Sequence, residues 1–349
     1  METSVPEQLL VQYYSELFPR EYVHNWLDPR NLKTNKNIPI YREVAKVHQD
    51  ERFQRHLNLD KLQDWNRIIS LAPREIHIGA LHYYSLGSLV GNMNPAVMRE
   101  FILDIDINDY SDLRFCSCIG SDLCKACWGF LVFAVKIVSH IITRSLGTSE
   151  FQWFFSGRRG VHCWIKSPDI VRFSSRNRVY LANFFSKPAK YEGYVYGTLL
   201  DEIRPFLLGY LSKNDIFSIE KSRKILANGL GVWIPYNGNS LQFYMDFKKH
   251  LTSNYDQVQA KKLERKAIYN LLWPRIDYNV SSSVQHLIRC PFSVHPKTGN
   301  LVFPFSVSEC VKVLDEIEKF NIYNLQLDNI LERASLLALP QDSDEPQSN

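Results

Sequence analysis

Apolar positions along this chain repeat with two periods, one helical and one alternating. Leu9, Leu10, Tyr13 and Leu17 recur at helical spacing, which predicts a helix over 6–17. Residues 36–57 are less regular, with strand-like pieces around Ile38–Val44. Asp60–Leu71 puts Leu62, Trp65, Ile68 and Ile69 on one face and stops before Pro73, which predicts a helix. Glu75–His82 and Glu100–Ile107 read as strands, and Cys127–Arg144 reads as a helix. Strands Glu150–Phe155 and Val161–Lys166 flank the turn Ser156-Gly157-Arg158-Arg159-Gly160. Strands separated by a helix imply an α/β sheet. Between Ser174 and Leu272 amphipathic patterns dominate, as in Thr198–Tyr210 and Asp256–Leu272. Residues 276–305, with Pro291, Pro296 and Pro304, are strand-like and loop-rich, and Ser306–Leu336 returns to helix. The expected organisation is an α/β core over 1–173, a helical subdomain over 174–272, a completion of the core with a C-terminal helix over 273–336, and a disordered polar tail over 337–349.

Length and composition narrow the class. A chain of 349 residues suggests about two domains. Its 45% apolar and 22% charged residues exclude a disordered chain, a collagen-like repeat and a coiled-coil rod. The net charge of +4 fits an anionic partner without demanding one. Aromatic residues make up 13%, enough to fill a core and leave rings for stacking on bases. The N-terminal stretch carries acids and no long apolar run, which is not the pattern of a signal peptide. The run Gly129–Ile142, broken by Lys136, Ser139 and His140, reads as too short and too polar to span a bilayer, so a soluble intracellular chain is expected. Four of the seven cysteines lie between Cys116 and Cys127. A disulfide framework spreads its cysteines out, so this clustering reads as metal binding.

Four constellations carry chemistry. In Leu103-Asp104-Ile105-Asp106-Ile107 a strand would turn both carboxylates to one face and the aliphatic residues to the other. Two such carboxylates repel unless a cation lies between them, and Mg²⁺ or Mn²⁺ prefers hard oxygen donors. On its own the pattern suits an edge strand with a solvated acidic face better than a metal site. Cys116, Cys118, Cys124 and Cys127 have the spacing of a closed tetrahedral zinc site. An iron–sulfur cluster needs the same ligand number, and free cysteines or one disulfide are the alternatives that this spacing disfavours. Ser156-Gly157-Arg158-Arg159-Gly160-Val161-His162 combines glycines that permit close backbone approach with donors for phosphate oxygens. A basic surface turn explains it as well, and it matches neither a Walker loop nor a dinucleotide fingerprint. The fourth pairs Asp277, on the apolar run Arg275–Val280, with His286, Arg289, His295 and Lys297 in a Pro-rich stretch, though on spacing alone an ordinary loop with solvated charges explains it better. Three acids, a metal-type cysteine set and two basic clusters are what metal-dependent nucleotidyl transfer requires.

These segments, in this order, resemble the small catalytic subunit of eukaryotic and archaeal DNA primase, most nearly the eukaryotic form. The carriers are Phe101–Tyr110, the cysteines ending in Cys127-Trp128, Ser156–Trp164, Arg275–Val280 and Cys290–Gly299. The resemblance implies an α/β primase-type catalytic core with an RRM-like sheet, a mostly helical subdomain and a structural zinc site. It implies synthesis of short RNA primers on single-stranded DNA from ribonucleoside triphosphates. By position Asp104, Asp106 and Asp277 would bind two catalytic Mg²⁺ or Mn²⁺ ions, and Cys116, Cys118, Cys124 and Cys127 one Zn²⁺. Ser156, Arg158, Arg159, His162, Arg289 and His295 would hold phosphates, His286 and Leu287 would lie along the nucleotide, and Glu43 and Arg52 match positions near it. Implied partners are a large primase subunit carrying an iron–sulfur cluster and DNA polymerase alpha, in the nucleus. Three departures stand out: His77 at a usually acidic position, Arg289 in place of a lysine, and Ser117 between the first two cysteines. A primase-polymerase that uses deoxynucleotides and a non-catalytic zinc-stabilised nucleic-acid-binding module are the alternatives.

Overall fold

The computed structural model of the chain describes residues 4–28, 40–86, 95–120, 122–187, 194–227 and 234–338. The expected tail beyond residue 338, and the start of the strand-like piece at Ile38, lie outside these residues. Helices α1 (Glu7–Gln12), extended by a π turn, and α2 (Arg20–Leu27) come first. Strands β1 (Tyr41–Val47) and β2 (Phe53–Leu59), helix α3 (Asp64–Ile68) and strands β3 (Glu75–His82) and β4 (Phe101–Asp106) follow. After α4 (Lys125–Ser145) come the hairpin strands β5 (Phe151–Phe155) and β6 (Gly160–Ile165), then α5 (Pro168–Val171) and α6 (Ser175–Ser186). Helices α7 (Tyr194–Leu211), α8 (Glu220–Ala227), α9 (Ser240–Asn254) and α10 (Gln257–Leu272) run in succession. The chain closes through α11 (Tyr278–Ser282), β7 (Ile288–Arg289), β8 (Pro304–Phe305), α12 (Val313–Glu316) and α13 (Leu327–Ser335).

Two compact units emerge. One comprises Met1–Asp104, Thr148–Ala182 and Asp277–Asn349, the other Ile105–Gly147 and Asn183–Ile276. The first is built on two four-stranded sheets, ordered β2-β1-β3-β7 and β4-β6-β5-β8. Strand β1 pairs antiparallel with β2 and β3, β3 with β7, and β5 with β6 and β8. Every residue of β5 and β6 is buried, as expected of strands covered on both faces. In β4 the aliphatic residues Leu103 and Ile105 are buried while Asp104 and Asp106 are partly exposed, the alternation expected of a strand.

The second unit is helical. Asp256 caps α10 by accepting from the N–H groups of Val258 and Gln259, both at 2.9 Å, and Asn239 caps α9 through Gln242 N–H. Helix α4 packs on α7 and α10. With 21 residues it is longer than the run singled out in the sequence, and by length and composition it could cross a membrane. However, 83% of its most apolar stretch is buried, which is the environment of a core helix.

Three elements differ from the periodicity. The helix expected over 60–71 forms only at Asp64–Ile68, because Leu71 and Ala72 take left-handed backbone (φ +60° and +41°). Its last carbonyls are instead satisfied by the buried ammonium of Lys46, which donates to Arg67 O at 2.9 Å and Ile68 O at 3.1 Å. Strand β2 has a polar sequence, and its register against β1 shifts near His56, also left-handed at φ +64°. The helix expected over 306–336 is broken. Phe320 and Ile322 join the backbone of residues 299–301, with Leu301 N–H bound to Phe320 O and Ile322 N–H to Gly299 O, each at 2.8 Å.

Candidate active site

The acids come first, because the fold determines which of them meet. Asp104 and Asp106 leave the same face of β4. Asp277 was expected on a strand, but only Ile276 pairs in that way, as a single bridge to Ile105. Asp277 itself caps α11, its carboxylate accepting from Asn279 N–H at 2.8 Å and Val280 N–H at 3.4 Å. Its backbone N–H donates to Asp104 O at 2.8 Å, so the third acid sits beside the first. Ser281 Oγ donates to Ile102 O at 2.8 Å, which binds α11 to β4 a second time. A third restraint is Arg99, wholly buried, whose Nη1 donates to Ser283 O at 3.0 Å and Val280 O at 3.4 Å at the other end of α11.

Next to Asp104 stands a basic centre. His162, on β6, holds Nε2 3.6 Å from Asp104 Oδ1. Before β6 the hairpin is closed by Ser156, whose Oγ accepts from Gly160 N–H at 3.0 Å. Gly157 has φ +87°, and a Cβ there would stand 3.0 Å from His295 Cβ. Thr298 Oγ1 donates to Gly157 O at 2.6 Å, fastening the 293–302 segment to the turn. This brings His295 to the hairpin that carries Arg158 and Arg159. From the other sheet comes Arg289, paired across β7 and β3 with His77 and 3.3 Å from Glu75 Oε2.

The charges of this centre are coupled. Burial, and then the charge of Arg289, pushes the imidazole of His162 down to about 3. The same two causes, with Arg158 added, push His295 to about 3. Burial would raise the Glu75 carboxyl, but the hydrogen bond from His77 and the charge of Arg289 outweigh it and hold it at about 2. Arg289 Nη1 and His162 Nδ1 are buried with no hydrogen-bond partner among the described residues. A buried donor without an acceptor is costly, and an anionic oxygen belongs to the chemical class that could satisfy the Arg289 guanidinium.

The remaining nominated residues divide. Glu43 is buried on β1, and Arg55 Nε lies 2.7 Å and His56 Nδ1 2.9 Å from its Oε1. Leu287 approaches the same spot, since a Cβ on Gly79 would meet Glu43 Oε2 at 2.6 Å and Leu287 Cδ2 at 2.9 Å. His286 is half-buried, and its imidazole is lowered by burial and then by the charge of Arg99. Arg52 is instead 66% exposed in the β1–β2 turn, 3.7 Å from Asp50. Arg55, which the sequence reading passed over, is the arginine on Glu43. The left-handed His56 turns two successive side chains to that carboxylate, which a strict alternation would separate.

The four cysteines converge in the second unit, their sulfur atoms all within 4.8 Å of one another. Cys124 Sγ and Cys127 Sγ are 3.8 Å apart, the separation expected for a tetrahedral site with metal–sulfur bonds of about 2.3 Å. Cys124 is also the N-cap of α4. The cluster can therefore hold a metal. Asp104, Asp106 and Asp277 do not form so tight a group.

A family model described as the DNA primase small subunit matches residues 103–307. The chain belongs to that family. Among its relatives are DNA primase small subunits of Drosophila melanogaster (27% identical, covering 88% of this chain and 78% of that one) and Caenorhabditis elegans (27%, 99% and 91%). The archaeal DNA primase small subunit of Pyrobaculum aerophilum is 23% identical over 75% of this chain and 70% of its own. The chain is thus a DNA primase catalytic subunit and a nucleotidyltransferase. The matched span of this primase includes the three aspartates, the cysteines, the Ser156–His162 turn and the basic centre. Glu43, Arg52 and Arg55 precede it.

Proposed function

We propose that this primase subunit synthesises short RNA primers on a single-stranded DNA template from ribonucleoside triphosphates. The observation that carries this reading is the bond from Asp277 N–H to Asp104 O, which joins the backbone of the third acid to that of the acidic strand. Asp104, Asp106 and Asp277 are the residues that would hold two Mg²⁺ or Mn²⁺ ions. All offer hard oxygen donors, and those of Asp104 and Asp106 are partly open to solvent. When bound, such ions would lower the pKa of an attacking 3′-hydroxyl and neutralise a departing pyrophosphate.

The chain's own groups position the triphosphate. Arg289, Arg158 and Arg159 hold phosphate oxygens by charge-assisted bonds, while Ser156, His162 and His295 add neutral donors. His162 and His295 are uncharged when ligand-free and gain a reason to take up a proton when phosphate arrives. Glu43, Leu287 and His286 line the nucleoside side, with Arg52 at its margin. Catalysis then belongs to 1–173 and 273–336, the former including an RRM-like sheet, and 174–272 is a helical support. The cysteine cluster holds a structural zinc. Single-stranded DNA, a large iron–sulfur primase subunit and DNA polymerase alpha are the proposed partners, in the nucleus.

A primer-synthesis assay on single-stranded DNA tests the reading, with ribo- or deoxynucleotides and with Mg²⁺ or Mn²⁺. Metal-dependent RNA products are expected. Products made only from deoxynucleotides would replace it with the primase-polymerase reading.

A further inference from the structure

Helices α7, α9 and α10 of the second unit enclose a cavity of about 240 Å³. Leu200, Leu251 and Ala260, all buried, form an apolar floor. At Gly197 no side chain fills the opening, and a Cβ there would stand 3.2 Å from Arg265 Nη1. Four cations line the rim: Arg204, Lys248, Lys261 and Arg265. Two of these are already engaged. Glu264 accepts from Arg204 at 2.6 Å and lies 3.6 Å from Lys248, and Asp201 lies 3.4 Å from Arg204. Lys261 and Arg265 have no ion-pair or hydrogen-bond partner among the described residues.

We propose that this cavity is a second ligand site, which takes a phosphate monoester carried on a ring-sized apolar group. An apolar floor under a cationic rim selects an anion with an apolar body, and inorganic phosphate leaves the floor uncovered. Two uncompensated cations match a monoester, which carries about −1.5 to −2 at neutral pH. Arg265 supplies a planar fork for two of its oxygens and Lys261 a point charge. The volume is below the roughly 300 Å³ at which drug-sized pockets begin, so one ring and one phosphate fit better than a whole nucleoside triphosphate. The ligand chemistry is common to a free small phosphate ester and to the 5′-phosphate end of a nucleic-acid strand.

Calorimetric titration of the full chain with phenyl phosphate, inorganic phosphate and benzyl alcohol tests the site. It is done on an Arg159→Ala background, so that the basic hairpin does not contribute. Phenyl phosphate is expected to bind at least tenfold more tightly than either fragment. Joint substitution Lys261→Gln and Arg265→Gln should remove at least tenfold of that affinity, with melting temperature unchanged. Gly197→Ala, which displaces Arg265, should weaken it in the same direction. Single-stranded DNA with a 5′-phosphate or a 5′-hydroxyl separates the sources: a preference for the phosphate lost in the double variant assigns a strand end, and no preference assigns a free ester. Undetectable phenyl phosphate binding, or binding untouched by the double variant, overturns the proposal. Neither result bears on primer synthesis, which is measured separately.

Discussion

Asp277 both caps α11 and adjoins Asp104 through its backbone, and two substitutions separate its cap from its charge. Asparagine caps a helix as well as aspartate and removes one of the repelling charges. Asp277→Asn should therefore leave the melting temperature equal or slightly raised and abolish primer synthesis. Asp277→Ala should lose the same activity and about 1 kcal/mol of stability besides, read by urea denaturation. Near-normal synthesis by Asp277→Asn would remove Asp277 from the metal set. Arg99 belongs to the same scale. Burial, followed by the charges of Arg178 and Arg42, lowers its guanidinium to about 9, and it remains the donor that ties down the carbonyl end of α11. Arg99→Met leaves those carbonyls buried and unpaired, a loss of about 2–4 kcal/mol. Primer synthesis should fall with it while the zinc content of the chain stays constant. The motif residues Asp104, Arg158 and His162 were legible in the sequence because they stand in dense local patterns. Arg55, Glu75 and Arg99 were not, because each matters only through a partner on another element.

Among the elements, the β5–β6 hairpin and the 293–302 segment form one device. Gly157→Ala meets two obstacles: left-handed backbone, unfavourable by about 1–2 kcal/mol for a residue with a Cβ, and the 3.0 Å approach to His295. The variant should melt earlier and bind nucleoside triphosphate more weakly, since the turn and His295 are pushed apart. A nucleotide titration with unchanged affinity would show that the two segments act separately. Helix α4 begins at two of the four cysteines, so a metal held there would fasten its first turn. One zinc per chain is expected by elemental analysis, and a chelator or Cys124→Ala should lower the melting temperature. Iron with cluster absorbance would overturn the zinc assignment. Strands β3 to β6 and helices α4, α7 and α10 followed their periodicity. Helix 306–336 did not, because residues 320–322 found backbone partners at 299–301 that no local pattern announces.

For the whole molecule, the buried ionisable groups make stability fall on the acid side. Burial would raise the carboxyls of Glu43 and Glu100, but Arg55 with His82 for one, and Arg42 for the other, hold them at about 2, like Glu75. Their folded values lie below the ordinary 4.5, so this stabilisation is complete above that pH and is lost as pH falls toward 2. His162 and His295 are held near 3 against an ordinary 6.5. The unfolded chain takes up their protons first, so stability also declines as pH falls from 6.5 toward 3. The two effects share a sign and begin at different pH values. Urea midpoints should therefore drop in two stages between pH 7 and pH 3, the earlier stage on the order of 4–5 kcal/mol per imidazole at its full extent. His295→Gln should reduce the first stage by about half, leaving the part due to His162, and leave the second unchanged.

The amino-acid sequence by itself determined the classes of chemistry present: a pair of strand carboxylates, a four-cysteine cluster and a glycine-flanked basic turn. Each of these lies within about a dozen residues, where covalent geometry and period alone set which side chains share a face. The tertiary structure alone decided that Asp277 comes to Asp104 across more than 170 residues, that Arg55 and not Arg52 meets Glu43, and that Arg289 of one sheet lowers the imidazoles beside the other. These outcomes depend on strand register, a left-handed residue and backbone bonds between distant segments. Such features arise from the competition of whole folds for burial and hydrogen bonding, and local residue patterns do not encode them one at a time.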